Sequence, residues 1–136
     1  MSELPLPDRV VELLRRANPA VMATLAADGR PVTVATWYLL EDDGRVVLGL
    51  DATRVRLKHM RADPRVSLTV LSDASWYTHV SLQGRIVSIV DDEGLHDIDR
   101  IARHYTGGPY ADREHPRVTA HLEIDRWHAW GELRDA

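Results

Sequence analysis

Two Asp-Gly steps, Asp28-Gly29 and Asp43-Gly44, constrain this chain more than any other feature of it. Asp-Gly suits a tight hairpin turn, because glycine takes a positive φ without a steric cost. The runs around these turns are the apolar Ala20 to Leu25, Pro31 to Leu40, rich in Val, Thr, Trp and Tyr, and Val46 to Leu50. Three strands joined by two hairpin-length turns predict an antiparallel meander and exclude a parallel βαβ arrangement, whose crossovers need a dozen or more residues.

The rest of the chain extends this pattern. Asp8 stands as an N-cap before Val10, Val11, Leu13, Leu14 and Ala17, so residues 8 to 17 read as an amphipathic helix. Ala52 to Ala62 reads as a short helix closed by Asp63-Pro64, and Val66 to Leu71 as a strand. Trp76 to Val90 is a long extended segment in which Gly84 marks a bulge or bend. Asp91-Asp92-Glu93 opens a helix whose apolar side is Leu95, Ile98, Ile101 and Ala102, and Thr106-Gly107-Gly108-Pro109 breaks it. Arg117 to Ile124 is the last clear strand, and Trp127 to Leu133 closes the chain. The sum is a mainly β fold of about six strands with peripheral helices, closing into a small antiparallel barrel that removes exposed edges. A length of 136 residues fits a single domain over 1–136.

Composition narrows the function. Hydrophobic residues at 44% and charged residues at 28% place the chain among globular proteins rather than disordered ones. A formal net charge of −4 argues against a general nucleic-acid binder, which would carry a basic excess. Cysteine is absent, which removes disulfides, thiolate nucleophiles and Cys-based metal sites. The start has no basic region followed by an apolar run, and no stretch nears the ~18 apolar residues of a membrane span, so a cytoplasmic protein without a membrane partner is expected.

One segment stands out against the acidic background. Thr53 to Arg61 carries Arg54, Arg56, Lys58 and Arg61 with no acid, at the start of a predicted helix. Positive charge is unfavourable at a helix N-terminus. An anion bound there would offset that cost through free backbone N–H groups and the Arg and Lys heads, which makes the segment a candidate phosphate site. A solvated basic face is the competing reading. Thr33, Val34, Ala35, Thr36 and Trp37 lie on the strand after the first hairpin, where a Trp on one face could line a flat aromatic ligand or simply fill the core. The seven histidines, His59, His79, His96, His104, His115, His121 and His128, form no HExxH motif, and no metal site is expected. There is no nucleophile elbow, P-loop or G-x-G-x-x-G, and Ser81 and Ser88 have no identifiable base. No catalytic side chain emerges.

Several motifs together resemble a known family. The run Val47 to Leu68, with its Arg61-Ala62-Asp63-Pro64-Arg65-Val66 core, looks like the pyridoxamine 5′-phosphate oxidase-like split β-barrel superfamily. Val80-Ser81-Leu82-Gln83-Gly84 matches that family's strand leading into a glycine. The ending Ile124-Asp125-Arg126-Trp127-His128-Ala129-Trp130-Gly131 and the segment His104 to Tyr110 are similar to its deazaflavin (coenzyme F420)-dependent reductase branch. The resemblance implies a six-stranded antiparallel split β-barrel of the FMN-binding type. It also implies a homodimer, with cofactor in a groove between subunits. It places Arg56 where the family commonly has its phosphate lysine, flanked by Arg54 and Lys58, with Thr53 near the phosphate. It puts Thr33 to Trp37 along the cofactor ring, and His79 where flavin-binding members often carry Gln. The implied function is hydride transfer between reduced F420 and a small organic acceptor. The alternatives are an FMN-dependent enzyme and a non-enzymatic cofactor or ligand binder.

Overall fold

A computed structural model describes residues 2–136. In chain order it contains β1 (Ser2–Glu3), α1 (Asp8–Leu14), β2 (Ala20–Leu25), β3 (Pro31–Thr36), β4 (Leu39–Leu40), β5 (Val46–Asp51), α2 (Val55–Ala62), β6 (Arg65–Leu71), β7 (His79–Asp91), α3 (His96–Thr106) and β8 (Arg117–Trp130). Six of the strands are long, and each coincides with an extended run foreseen in the sequence. The last two predicted segments merge into the single strand β8.

Every pairing is antiparallel, in the order β3-β2-β6-β7-β8-β5-β4, with β1 added to the far end of β8. β3 and β4 therefore lie at opposite ends of the hydrogen-bonded path. Along the chain, however, only Trp37 and Tyr38 separate them. Three Cα–Cα steps span at most ~11 Å, so the sheet has to curl until its two ends meet. The result is a split antiparallel barrel, closed by the chain and not by a hydrogen-bonded seam. This corrects two expectations, the three-strand meander and full barrel closure. β5 pairs with β4 and β8, never with β3.

Tyr38 explains the break. Its side chain is fully buried in the core formed by β2, β5, β6, β7, β8 and both short helices. The Tyr38 hydroxyl donates to the Arg16 carbonyl at 3.2 Å, and burial pushes its pKa up to about 12. Asn18, also buried, donates from Nδ2 to the Leu13 carbonyl at 2.7 Å and ties the end of α1 to the same region.

The helices begin and end under local control. α1 starts after Pro7, whose carbonyl accepts from Val10 and Val11, and ends at Leu14, short of the expected Ala17. α2 starts at Val55 rather than Ala52, because the Asp51 carboxylate accepts the Thr53 N–H at 2.9 Å and its hydroxyl at 2.7 Å, holding that stretch as a turn. α3 is capped from outside by Asp92, whose two oxygens accept the N–H groups of Asp97 and Ile98. α3 lies on the outer face of β5 over Gly49, where a Cβ would come within 3.0 Å of Ile98 Cδ1.

The expected irregularity at Gly84 is present: the β7–β8 register shifts between Gln83 and Gly84. A Cβ on Gly84 would stand 2.0 Å from the Glu123 carbonyl oxygen. Backbone cannot yield as a flexible side chain does. Gly84→Ala should lower stability by about 1–3 kcal/mol or more in urea unfolding, and an unchanged midpoint would contradict the close approach. A second expectation comes from Tyr38. A phenol with its folded pKa raised above the unfolded value contributes stability that is full below about pH 10 and is lost as pH rises through about 12. The fall in melting temperature across that window should be shallower in Tyr38→Phe.

Candidate functional site

The split opens onto a cavity of about 560 Å³, bounded by the ends of β3 and β5, the start of α2, α3 and the start of β8. One wall is aromatic. Trp37 stacks on Tyr105 with ring centroids 5.1 Å apart and planes 13° from parallel, and meets Tyr110 edge-on at 6.3 Å. Tyr105 is fixed by its hydroxyl, which donates to the Asn18 carbonyl at 2.7 Å and accepts the Tyr38 N–H at 3.4 Å. That N–H is the one released where β3 leaves the sheet. Burial raises the Tyr105 pKa further, so both phenols stay neutral at ordinary pH.

The other wall is cationic. Arg54, Arg56 and Arg117 all line the cavity. Among the described residues none of the three is paired with a carboxylate. Arg56 is half-buried and its Nη1 has no hydrogen-bond partner; Nε of Arg117 is likewise buried and unpartnered. Burial, and then repulsion from Arg54 and Arg117, hold the Arg56 guanidinium below the usual arginine range. The one acid on this wall, Asp51, already has an oxygen occupied by Thr53, and those two bonds hold its pKa down. Arg117 sits over the Tyr110 ring, with Cζ 4.5 Å from the centroid, and donates from Nη1 to the Tyr110 hydroxyl at 3.3 Å. Buried N–H donors without acceptors are costly, and a bound phosphate or carboxylate would satisfy them. The residues present therefore fit an anionic, flat aromatic cofactor.

The sequence-derived candidates divide. Ala35, Thr36, Trp37, Arg54 and Arg56 meet at this cavity. Thr33 and Val34 lie further down β3, exposed. Thr53 bonds Asp51 at the rim, and Lys58 is exposed on α2. Lys58 follows Arg56 by two residues, about 200° around a helix, and so faces away. His79 opens β7, where it stacks on Trp130 at 5.7 Å and bonds the Tyr77 carbonyl through Nδ1. It lies outside the cavity of this chain. Arg117, Tyr105 and Tyr110 were missed. Arg117 reaches the site because β5 and β8 pair Asp51 with Arg117, a register no local pattern encodes. Among the described residues no cluster of His, Asp and Glu suited to a metal ion occurs, and no helix is long and apolar enough to cross a membrane.

Comparison with known proteins agrees with this fold. An F420 reductase of known structure is 23% identical, superposes with a TM-score of 0.80, and is matched over 98% of its length and 90% of this chain. A conserved hypothetical protein from Mycobacterium tuberculosis is 26% identical, with a TM-score of 0.74 over 95% of this chain and 86% of its own. General Stress Protein 26 from Bacillus anthracis has a TM-score of 0.70 at 13% identity, over 90% of this chain and 92% of its own. No curated protein matches the chain in sequence. The profile of the pyridoxamine 5′-phosphate oxidase family, a flavin-type oxidoreductase family, matches residues 6–131. With nearly its whole length under that profile and a split antiparallel barrel for its fold, the chain belongs to the pyridoxamine 5′-phosphate oxidase family.

Proposed function

We propose that this protein is a deazaflavin-dependent reductase that transfers a hydride between reduced F420 and a small organic acceptor. The observation that carries the reading is the set of three arginines without carboxylate partners, one with a buried orphan Nη1, beside the Trp37–Tyr105 stack. Similarity to an F420 reductase of known structure supports the deazaflavin over other ring systems. The family match supports FMN as the second reading.

A reduced deazaflavin supplies the two electrons as hydride when bound. The chain's own part is to bind, orient and exclude water. Arg54, Arg56 and Arg117 would hold the anionic portion. Trp37 and the end of β3 would bear on the flat ring, and the neutral hydroxyls of Tyr38 and Tyr105 are committed to backbone groups. What the chain adds to the transfer is position and electrostatics.

A homodimer belongs to the same reading. β3 is exposed on both faces, and Val21, Val32 and Val34 remain 36%, 42% and 40% exposed. Ala35, Val21, Thr69, Ser81 and His128 run in register across five strands on one outward face, and none of them is buried. A second copy laid there would cover Val21 and the rest of that row, while Val32 and Val34, opposite Thr24 and Met22, lie on the other face of β3.

The chemistry is tested by titrating F420 and FMN side by side. F420 should bind more tightly, and binding should weaken with salt. Arg56→Ala should weaken binding about tenfold or more, since a charge-assisted contact is worth ~1.5–3 kcal/mol. Equal affinity in both proteins would make the arginines a solvated face, and tight FMN with rapid oxidation in air would select the second reading. For the assembly, light scattering at micromolar concentration should give a dimer, as an interface above about 1,000 Å² would hold, and Val21→Asp should shift it toward monomer. A monomeric wild type would refute it.

A further inference from the structure

The loop between α3 and β8 delivers Tyr110 to the cavity, and a buried acid holds that loop. Asp99, on α3, is buried, and unlike the buried Asp92 it caps no helix. One of its oxygens, Oδ1, accepts the Tyr110 N–H at 3.0 Å and Nη1 of Arg113 at 2.6 Å. The same Nη1 donates to the Tyr110 carbonyl at 3.2 Å. Both backbone groups of Tyr110 are thus gripped by a single ion pair. Beyond that grip, the Tyr110 ring carries the guanidinium of Arg117 and meets Trp37 edge-on.

We propose that Asp99 and Arg113 form a latch that positions Tyr110 and, through it, Arg117 at the anion site. The inference rests on the reading of that site given above. Neither latch residue lines the cavity, so both are positioning residues. Two effects combine. The loop's path is fixed by charge-assisted bonds, which are shorter and stronger than neutral ones. Arg113 is also neutralised by Asp99, so a fourth guanidinium on this loop adds little repulsion to the three already facing the cavity. A brace that merely kept the loop folded would do the first without any link to Arg117.

The test separates these. F420 and, independently, inorganic phosphate are titrated into wild type, Asp99→Ala, Arg113→Met, Arg117→Ala and the two double variants that combine a latch change with Arg117→Ala. Each latch change should weaken both probes about tenfold in the wild-type background and less than about twofold in the Arg117→Ala background, because coupled residues are not additive. The near-UV circular dichroism of the Trp37–Tyr110 contact should change in the latch variants without any probe. Arg113→Lys, which keeps the charge, should recover part of the affinity. If Asp99→Ala does not fold, Arg113→Met on the exposed loop carries the same expectation. Wild-type affinity in the latch variants, or an equal loss in both backgrounds, would overturn the latch while leaving the site reading intact. A wild type that binds neither F420, FMN nor phosphate would overturn the site reading and the latch with it.

Discussion

Two residues, Trp37 and Tyr38, connect opposite ends of one antiparallel sheet, and the rest of the molecule follows from that short bridge. A bridge of this length cannot span a flat sheet, so the sheet curls. Neighbouring side chains in extended backbone point to opposite sides. Tyr38 accordingly fills the barrel's core, while Trp37 faces the outside, against α3 and its loop. The gap where the ladder fails to close is also where the cavity lies. Closure and ligand site are therefore two results of one connection.

The charge distribution follows the same division. The chain is acidic overall, yet its cavity gathers arginines from the start of α2 and from β8 that make no salt bridge among the described residues, with Asp51 the one acid beside them. Several guanidinium groups elsewhere are paired, among them Arg100 with Glu41 and Asp97, Arg113 with Asp99, and Arg85 with Glu123 and Asp125. Arg56 has no such partner, because the one acid lining its cavity, Asp51, is bonded to Thr53. Leaving it without a partner costs stability in the free protein, and such a cost is characteristic of sites shaped for a ligand.

Much of this was legible in the sequence, for local reasons. Asp28-Gly29 and Asp43-Gly44 mark true turns, because glycine is needed at positive φ in both. Gly84 marks a true irregularity, because a neighbouring strand passes too close for any Cβ. The cationic run pointed to Arg54 and Arg56 because charge at a helix start is a local fact. What stayed hidden was non-local. The order of strands depends on where Tyr38 goes, and its burial is decided by a core that forms only when distant strands meet. Arg117 enters the site by cross-strand register, and Tyr105 and Tyr110 by the docking of α3. Lys58 shows the opposite failure, a charge in the right run on the wrong face of its helix.

α3 and its loop pack on a small apolar cluster of Val47, Ile98 and Ile101, separate from the main barrel core. Tyr105 is the residue that packs against both clusters. The two clusters meet across β5, which carries Val47 in one and Val46 and Leu48 in the other, and at Tyr105; the smaller one, with fewer buried contacts, is expected to open while the barrel persists. Backbone amides of α3 would then exchange with solvent sooner than those of β6 and β7. A ligand held between the units would slow that exchange, because it binds only when both are in place. Tyr105, which packs against both clusters, is therefore one of the links through which a ligand would couple α3 to the barrel.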